Sequence, residues 1–197
     1  MLSTVALFRQ RAETYVSRVS LRPVIPKASA HLRPATEHDV GFVTDVYVVT
    51  LRAQGRLARD LDEGAFRDRF VAQTFREVEG DVPDSTTYVI EIDGERAGRL
   101  RVVRGPDSLE IAGIQLLPAH QGKGNGTYLI EQLVVEAHDA GKPARVRAGR
   151  DNPRALGLYR RLGFTEVGTD DDEIILESAP RTQADGTEAE AGFSRGP

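Results

Sequence analysis

The stretch Gln121-Gly122-Lys123-Gly124-Asn125-Gly126-Thr127 limits the architecture more than any other part of this chain. An apolar run, Ile111 to Leu117, leads into it, and an amphipathic run, Tyr128 to Ala140, leads out. Glycines at 122, 124 and 126 let the backbone approach a ligand closely, because no Cβ stands in the way. A loop that opens a helix also points free N–H groups and a positive dipole end outward, which binds phosphate. Lys123 adds a cation. The spacing predicts a strand, a glycine-rich anion cradle and a helix. Gln121, Gly122, Lys123, Gly124, Asn125, Gly126 and Thr127 are the candidate cradle residues. A Walker loop is excluded, because Lys123 is followed by glycine rather than Ser or Thr. The dinucleotide fingerprint is excluded because its third glycine would fall on Leu129.

The remaining pattern, Gln-x-x-Gly-x-Gly, resembles the pyrophosphate loop of the GCN5-related N-acetyltransferase (GNAT) family, which binds acetyl-CoA. On its own it is also what a glycine-rich turn before an ordinary helix looks like. A second stretch runs from Asp151-Asn152-Pro153-Arg154-Ala155 through Leu158-Tyr159 to Gly163-Phe164. It resembles the same family's Asn-x-x-Ala-x-x-Leu-Tyr-x-x-x-Gly-Phe signature, with spacing intact and in the same order. The resemblance covers about residues 32 to 177 and neither end. It implies an α+β fold with a central, mostly antiparallel twisted sheet of about six or seven strands flanked by about four helices.

Composition removes several function classes. The 197 residues suggest one domain. With no cysteine there is no disulfide, thiolate metal site or cysteine nucleophile. Four scattered histidines make no case for zinc, so no metal is expected. No apolar stretch approaches the ~20 residues of a membrane span. A net charge of −4 does not favour nucleic acid. The expected setting is cytoplasmic, with neither membrane nor nucleic acid as partner. The N-terminal segment is basic, so the body is more acidic than the whole. That suits a cationic amine acceptor by steering, and equally suits plain solubility.

Residues 1–30 read as an N-terminal extension. Leu2, Val5, Phe8, Ala12, Tyr15, Val16 and Val19 fall at helical spacing over residues 3–19. The same segment is Arg-rich and acid-poor, like a transit peptide. Pro23 and Pro26 then mark a linker. The expected domain spans 31–177, and 178–197 reads as a disordered tail. Within the domain, 32–35 reads as a strand, with Thr36 and Asp39 as a capping box for a helix carrying Val40, Val43, Val46, Tyr47 and Leu51. A second helix spans about 61–78, with Phe66 and Phe70 expected in the core. Asp93-Gly94 signals a hairpin between strands at 86–92 and 96–103. The meander's third strand, 108–117, delivers the glycine loop. Gly141-Lys142-Pro143 stops the helix after the loop. Strand 144–148 follows, then a helix capped by Asn152 with Pro153 in its first turn and closed by Gly163. A last hairpin pairs 164–167 with 173–177.

The resemblance assigns the chemistry. Ile114, Gln115 and Leu116 would pair with the pantetheine arm of acetyl-CoA, and the Leu116 N–H would polarise the thioester carbonyl. Gly113 or the Leu117-Pro118 break would bend the strand away to leave a slot. Tyr159 is the candidate general acid, protonated at neutral pH with a phenol reference pKa of ~10. Asn152 either contacts the cofactor or only caps its helix. Relatives often carry a carboxylate where this chain has Gly113 and Arg147. Glu110 is the nearest carboxylate and the candidate base, expected by alternation to share a face with Ala112 and Ile114. His120 has a suitable pKa, ~6.5, but reads as structural. The expected function is N-acetyl transfer from acetyl-CoA to a primary amine of a small-molecule or amino-acid-like acceptor. The alternatives are a non-catalytic CoA-binding module, a protein N-acetyltransferase, or an interaction protein acting through its N-terminal helix. The resemblance leaves a homodimer open.

Overall fold

A computed structural model describes residues 30–58 and 60–180. The expected helix at 3–19 and nearly all of the expected tail lie outside the described residues. Seven strands form one sheet in the order β1-β2-β3-β4-β5-β7-β6. They are β1 (Ala30–Pro34), β2 (Ser85–Ile92), β3 (Glu95–Arg104), β4 (Leu109–Leu116), β5 (Ala144–Gly149), β6 (Thr165–Asp170) and β7 (Glu173–Ser178). Four helices flank them: α1 (Val40–Ala53), α2 (Glu63–Val78), α3 (Asn125–Asp139) and α4 (Pro153–Arg161). Among the described residues only the β4–β5 pair is parallel. This is the α+β architecture that the two motifs imply.

Local chemistry explains the joints. Asp93 (φ 54°) and Gly94 (φ 83°) both take positive φ, as a two-residue hairpin loop requires. Gly141 (φ 70°) and Gly163 (φ 86°) close α3 and α4 in the left-handed region. The Thr36–Asp39 box forms, with the Asp39 carboxylate accepting from the Thr36 N–H and hydroxyl at 2.9 Å each. It caps a short 3-10 turn, Glu37–Asp39, so α1 begins at Val40. Arg33 donates to both Asp39 oxygens at 2.8 and 3.0 Å. That pair holds the Asp39 carboxyl well below the usual carboxylate range.

Leu129, Ile130 and Leu133 of α3 and Leu156 and Tyr159 of α4 join Leu100, Val102, Ile111 and Val146 of the sheet in one buried cluster. Each such aliphatic side chain stabilises the fold by about 1.5–3 kcal/mol. Val43, Val46 and Val48 of α1 and Val89 of β2 are buried outside that cluster. Helix α2 differs from expectation. Its buried residues are Thr74 and Glu77, not Phe66 and Phe70. The aromatic stripe of α2 meets Tyr47 of α1 instead: Tyr47 and Phe70 stack with centroids 4.3 Å apart.

Candidate functional site

The site exists because β4 and β5 part company. Their pairing covers only Leu109↔Ala144, Glu110↔Arg145 and Ile111↔Val146. Immediately beyond, β4 bulges against β3: Arg101 pairs with Gly113 and Val102 with Ile111, so Ala112 is the extra residue. A bulge bends its strand and shifts the phase of its side chains by one. Hence Leu109 and Ile111 reach the α3 core before the bulge, and Ile114 and Leu116 reach it afterwards. The bend lies at Ala112-Gly113, the first of the two positions expected for it.

The phase shift corrects one expectation. Glu110 does not share a face with Ile114; across the bulge its face continues as Gly113 and Gln115. Glu110 pairs with Arg147 of β5, Oε1 to Nε at 3.4 Å. Arg147 in turn donates to Asp170 at 2.6 Å. Glu110 is absent from the cleft lining.

The backbone of β4 is half unpaired past the bulge. The Leu117 N–H donates to the Ala97 carbonyl at 2.8 Å. In an antiparallel ladder the groups facing one partner alternate, so Gln115 also faces β3, whereas Ile114 and Leu116 face away from it. There β5 has already diverged. The Leu116 carbonyl is taken by the Gln121 side chain, Nε2 to O at 2.7 Å. What remains along this open edge is the Leu116 N–H and both backbone groups of Ile114. Gln121 thus ties the glycine loop to the strand end through its side chain.

Gly122 (φ 74°) and Gly124 (φ 84°) turn the loop through the left-handed region. Helix α3 begins at Asn125, three residues earlier than its apolar stripe suggests, so the loop's second half is the helix's first turn. The N–H groups of that first turn have no intrahelical partner, and Gly122, Gly124, Asn125, Gly126 and Thr127 all line the cleft. Asn125 is 1% exposed, and neither polar atom of its side chain has a hydrogen-bond partner. Lys123 stands exposed outside the lining. Across the gap, Asn152 caps α4, its Oδ1 accepting from the Ala155 N–H at 3.2 Å. Tyr159 packs against Phe164, with ring centroids 5.6 Å apart. Burial pushes its phenol up to about 12, so it keeps its proton throughout the neutral range.

One cleft of about 840 Å³ joins these parts. It runs from the glycine loop through the β4–β5 gap to Tyr47, Phe66 and Phe70 on α1 and α2. Ile114, Gln115, Leu116, Gln121, Gly122, Gly124, Asn125, Gly126, Thr127, Asn152, Tyr159 and His120 all line it. Among the described residues there is no cluster of three or more side chains suited to a metal ion. None of their helices is long and apolar enough to cross a membrane. An open strand edge, a left-handed glycine loop and an orphaned buried amide together fit a long ligand with a phosphate-bearing end.

Three structural parts went unrecognised in the sequence. A Cβ on Gly98 would stand 2.3 Å from the Gln115 carbonyl oxygen and 3.1 Å from Leu116 Cα, so Gly98 is what lets β3 hold the β4 end. A glycine inside a strand pattern is the available signal for such an approach. Arg56, between α1 and α2, donates to both Asp151 oxygens at 3.0 and 2.9 Å and bridges the two sides of the cleft. Gly149 makes room for that pair: its Cβ would fall 2.4 Å from Asp151 Oδ1. Arg99 of β3 is 5% exposed and lines the cleft beside Tyr47 and Phe70.

The sequence matches known proteins along the same stretch. The model of the acetyltransferase (GNAT) family matches residues 55–164, more than half of the chain. Streptothricin acetyltransferase of Streptomyces lavendulae is 33% identical over 96 residues, 47% of this chain and 51% of that protein. N-alpha-acetyltransferase RimI of Mycobacterium tuberculosis is 40% identical over 73 residues, 36% of this chain and 45% of its own length. The chain spans about half the length of the curated relatives it matches. Among solved structures, PaiA N-acetyltransferase from Thermoplasma acidophilum, in complex with coenzyme A, superposes with a TM-score of 0.64. It is 18% identical and covers 77% of this chain and 99% of its own. Family match, sheet order, split strands and glycine loop agree, and the chain belongs to the GCN5-related N-acetyltransferase (GNAT) family.

Proposed function

We propose that this protein moves an acetyl group from acetyl-CoA to a primary amine of a small-molecule or amino-acid-like acceptor by direct attack. The observation that carries the reading is the open edge of β4, with the Leu116 N–H turned into a gap that ends at the glycine cradle. The loop amides of Gly122 to Thr127 would hold the pyrophosphate. Ile114 would pair with the pantetheine amides. The Leu116 N–H would donate to the thioester carbonyl oxygen as it gains charge.

The balance of the step is simple. The neutral amine nitrogen attacks the carbonyl carbon, a C–N bond forms, and the C–S bond breaks. The departing sulfur takes a proton from the Tyr159 hydroxyl, and the nitrogen's surplus proton passes through water to restore it. The reading assigns no base to Glu110, which is paired with Arg147. The acceptor must therefore arrive as its neutral form, and the rate should rise with pH as the amine loses its proton. It should not fall again through Tyr159, whose phenol is pushed up to about 12.

The likeness to RimI supports a second reading, acetylation of a protein's N-terminal amine. Thiol release from acetyl-CoA, measured against small amines and against short peptides with free N-termini, separates the two. Acetyl-CoA binding without thiol release to any amine would favour the non-catalytic module and overturn the transferase reading.

A further inference from the structure

At the Tyr47–Phe70 end of the cleft lies a buried cation with no ion pair among the described residues. Arg99 lies directly across from Gln115 in the β3–β4 register. Its guanidinium carbon sits 5.4 Å from the Tyr47 ring centroid and 5.3 Å from that of Phe70. Its Nε has no hydrogen-bond partner, and neither do Gln115 Oε1 and Thr50 Oγ1 beside the same cleft. Burial pushes the guanidinium down to about 10, which still leaves it cationic at neutral pH.

A buried charge is normally paired, and among the described residues Arg99 feels Glu77 only through space, with no ion pair. The carboxylate on the same side is Glu77, which is already occupied. It accepts from Thr87 at 3.1 Å and Gln73 at 2.9 Å, and pairs with Arg101 at 3.3 Å. Among the described residues no carboxylate comes within ion-pair distance of Arg99. The approach to it is clear, because Gly113 has no side chain; a Cβ there would stand 3.6 Å from Arg99 Nη2. The place where relatives often carry a carboxylate is bare backbone over an arginine.

We propose that Arg99, with the Gln115 side chain beside it, anchors a carboxylate carried by the acceptor, so that the acceptor is an amino acid with its carboxyl group free. This inference rests on the transferase reading above. A guanidinium matches a carboxylate with two parallel hydrogen bonds, and Tyr47 and Phe70 keep water from competing. The amine at the other end of such a molecule is then aimed along the cleft toward Leu116 and Tyr159.

The test compares amino acids with their own C-terminal amides in a thiol-release assay on the full chain. A hydrogen-bonded charge pair of this kind should make kcat/KM for the acid about 10- to 100-fold higher than for its amide. The amide has the less basic amine and more of its neutral form, so a preference for the acid cannot come from the amine. In Arg99→Gln the ratio should fall to near one, while calorimetry shows unchanged acetyl-CoA affinity. If that variant does not fold, the ratio in the unmodified protein decides alone. Acetyl-CoA binding with amides used as well as acids, or with no acid used, overturns the inference and leaves the transferase reading standing. Failure of the unmodified protein to bind acetyl-CoA removes the reading and this inference with it.

Discussion

The two halves of the cleft are built from different materials. The half where we place acetyl-CoA, from the end of β4 through the glycine loop to the first turn of α3, is mostly backbone. Its unpaired N–H groups come from a bulge, two left-handed glycines and a helix start, and the side chain of Gln121 only fastens it. The other half, where we place the acceptor, is mostly side chain: Tyr47 from α1, Phe66 and Phe70 from α2, and Arg99 and Gln115 from the sheet. A backbone site is fixed by where glycines can go. A side-chain site is fixed by which distant elements happen to meet. The first tolerates most exchanges of side chain, and the second can change ligand with one.

Three variants and one pair test that division, beginning with the largest expected effect. Tyr159 stands where the halves meet, and Tyr159→Phe keeps the ring and removes only the proton donor. Loss of a general acid should lower kcat by about 10²- to 10³-fold, with little change in acetyl-CoA affinity. A fall in affinity equal to the fall in kcat would place Tyr159 in binding rather than proton transfer.

Gly98→Ala probes the backbone half without touching its loop. The new Cβ meets backbone, so the β4 end must move, and a displacement near 1 Å at the oxyanion donor should cost about 10²-fold in kcat. An unchanged rate would show that the position of Leu116 does not matter to the step.

Asp39 lies outside both halves and tests the platform. Its carboxylate takes hydrogen bonds from Arg33 and Thr36, and losing them in Asp39→Asn should destabilise the fold by about 1–3 kcal/mol at neutral pH. Arg33 lowers the folded-state pKa. The contribution is therefore present above the unfolded-state value and lost as pH falls through the folded one. Denaturant midpoints of parent and variant should converge in acid. A gap that stays constant down to low pH would contradict the assignment.

The smallest effect is expected at the strap between the halves. Arg56 and Asp151 form a bidentate but largely exposed pair, with the Asp151 side chain 64% exposed. Such pairs contribute about 0–1 kcal/mol, so Arg56→Ala should change KM by only a few-fold. Additive effects of Arg56→Ala and Asp151→Ala in a double-mutant cycle would show that the contact carries nothing.

The same division explains what could be read from the sequence. Asp93-Gly94, Gly141, Gly163 and Asn152 announce turns and caps that form as expected, because those residue types act on their own backbone. The glycine loop was legible for the same reason. Its exact helix start was not, since Asn125, Gly126 and Thr127 carry no apolar stripe. The pattern failed where alternation was assumed to continue. Gly113 marked a bend but not the residue it adds, so the Ala112 bulge misplaced Glu110. Phe66 and Phe70 read as core because helical period shows that a stripe is apolar, not what it faces. Arg99 alternates with Leu100 as a solvent-facing residue would, and only the α1–α2 pair, far off in sequence, buries it. The α1–α2 end of the cleft was therefore the part least visible.

On the proposed function, the glycine loop and the open β4 edge bind acetyl-CoA. Calorimetric titration of acetyl-CoA into the protein and into Gly124→Glu tests it most directly. At 124 the variant places a β-carbon in a left-handed conformation (φ 84°) and a negative charge in the cradle. The parent should bind, and a variant whose circular dichroism shows it folded should not. No binding by the parent, or equal binding by both, would contradict it.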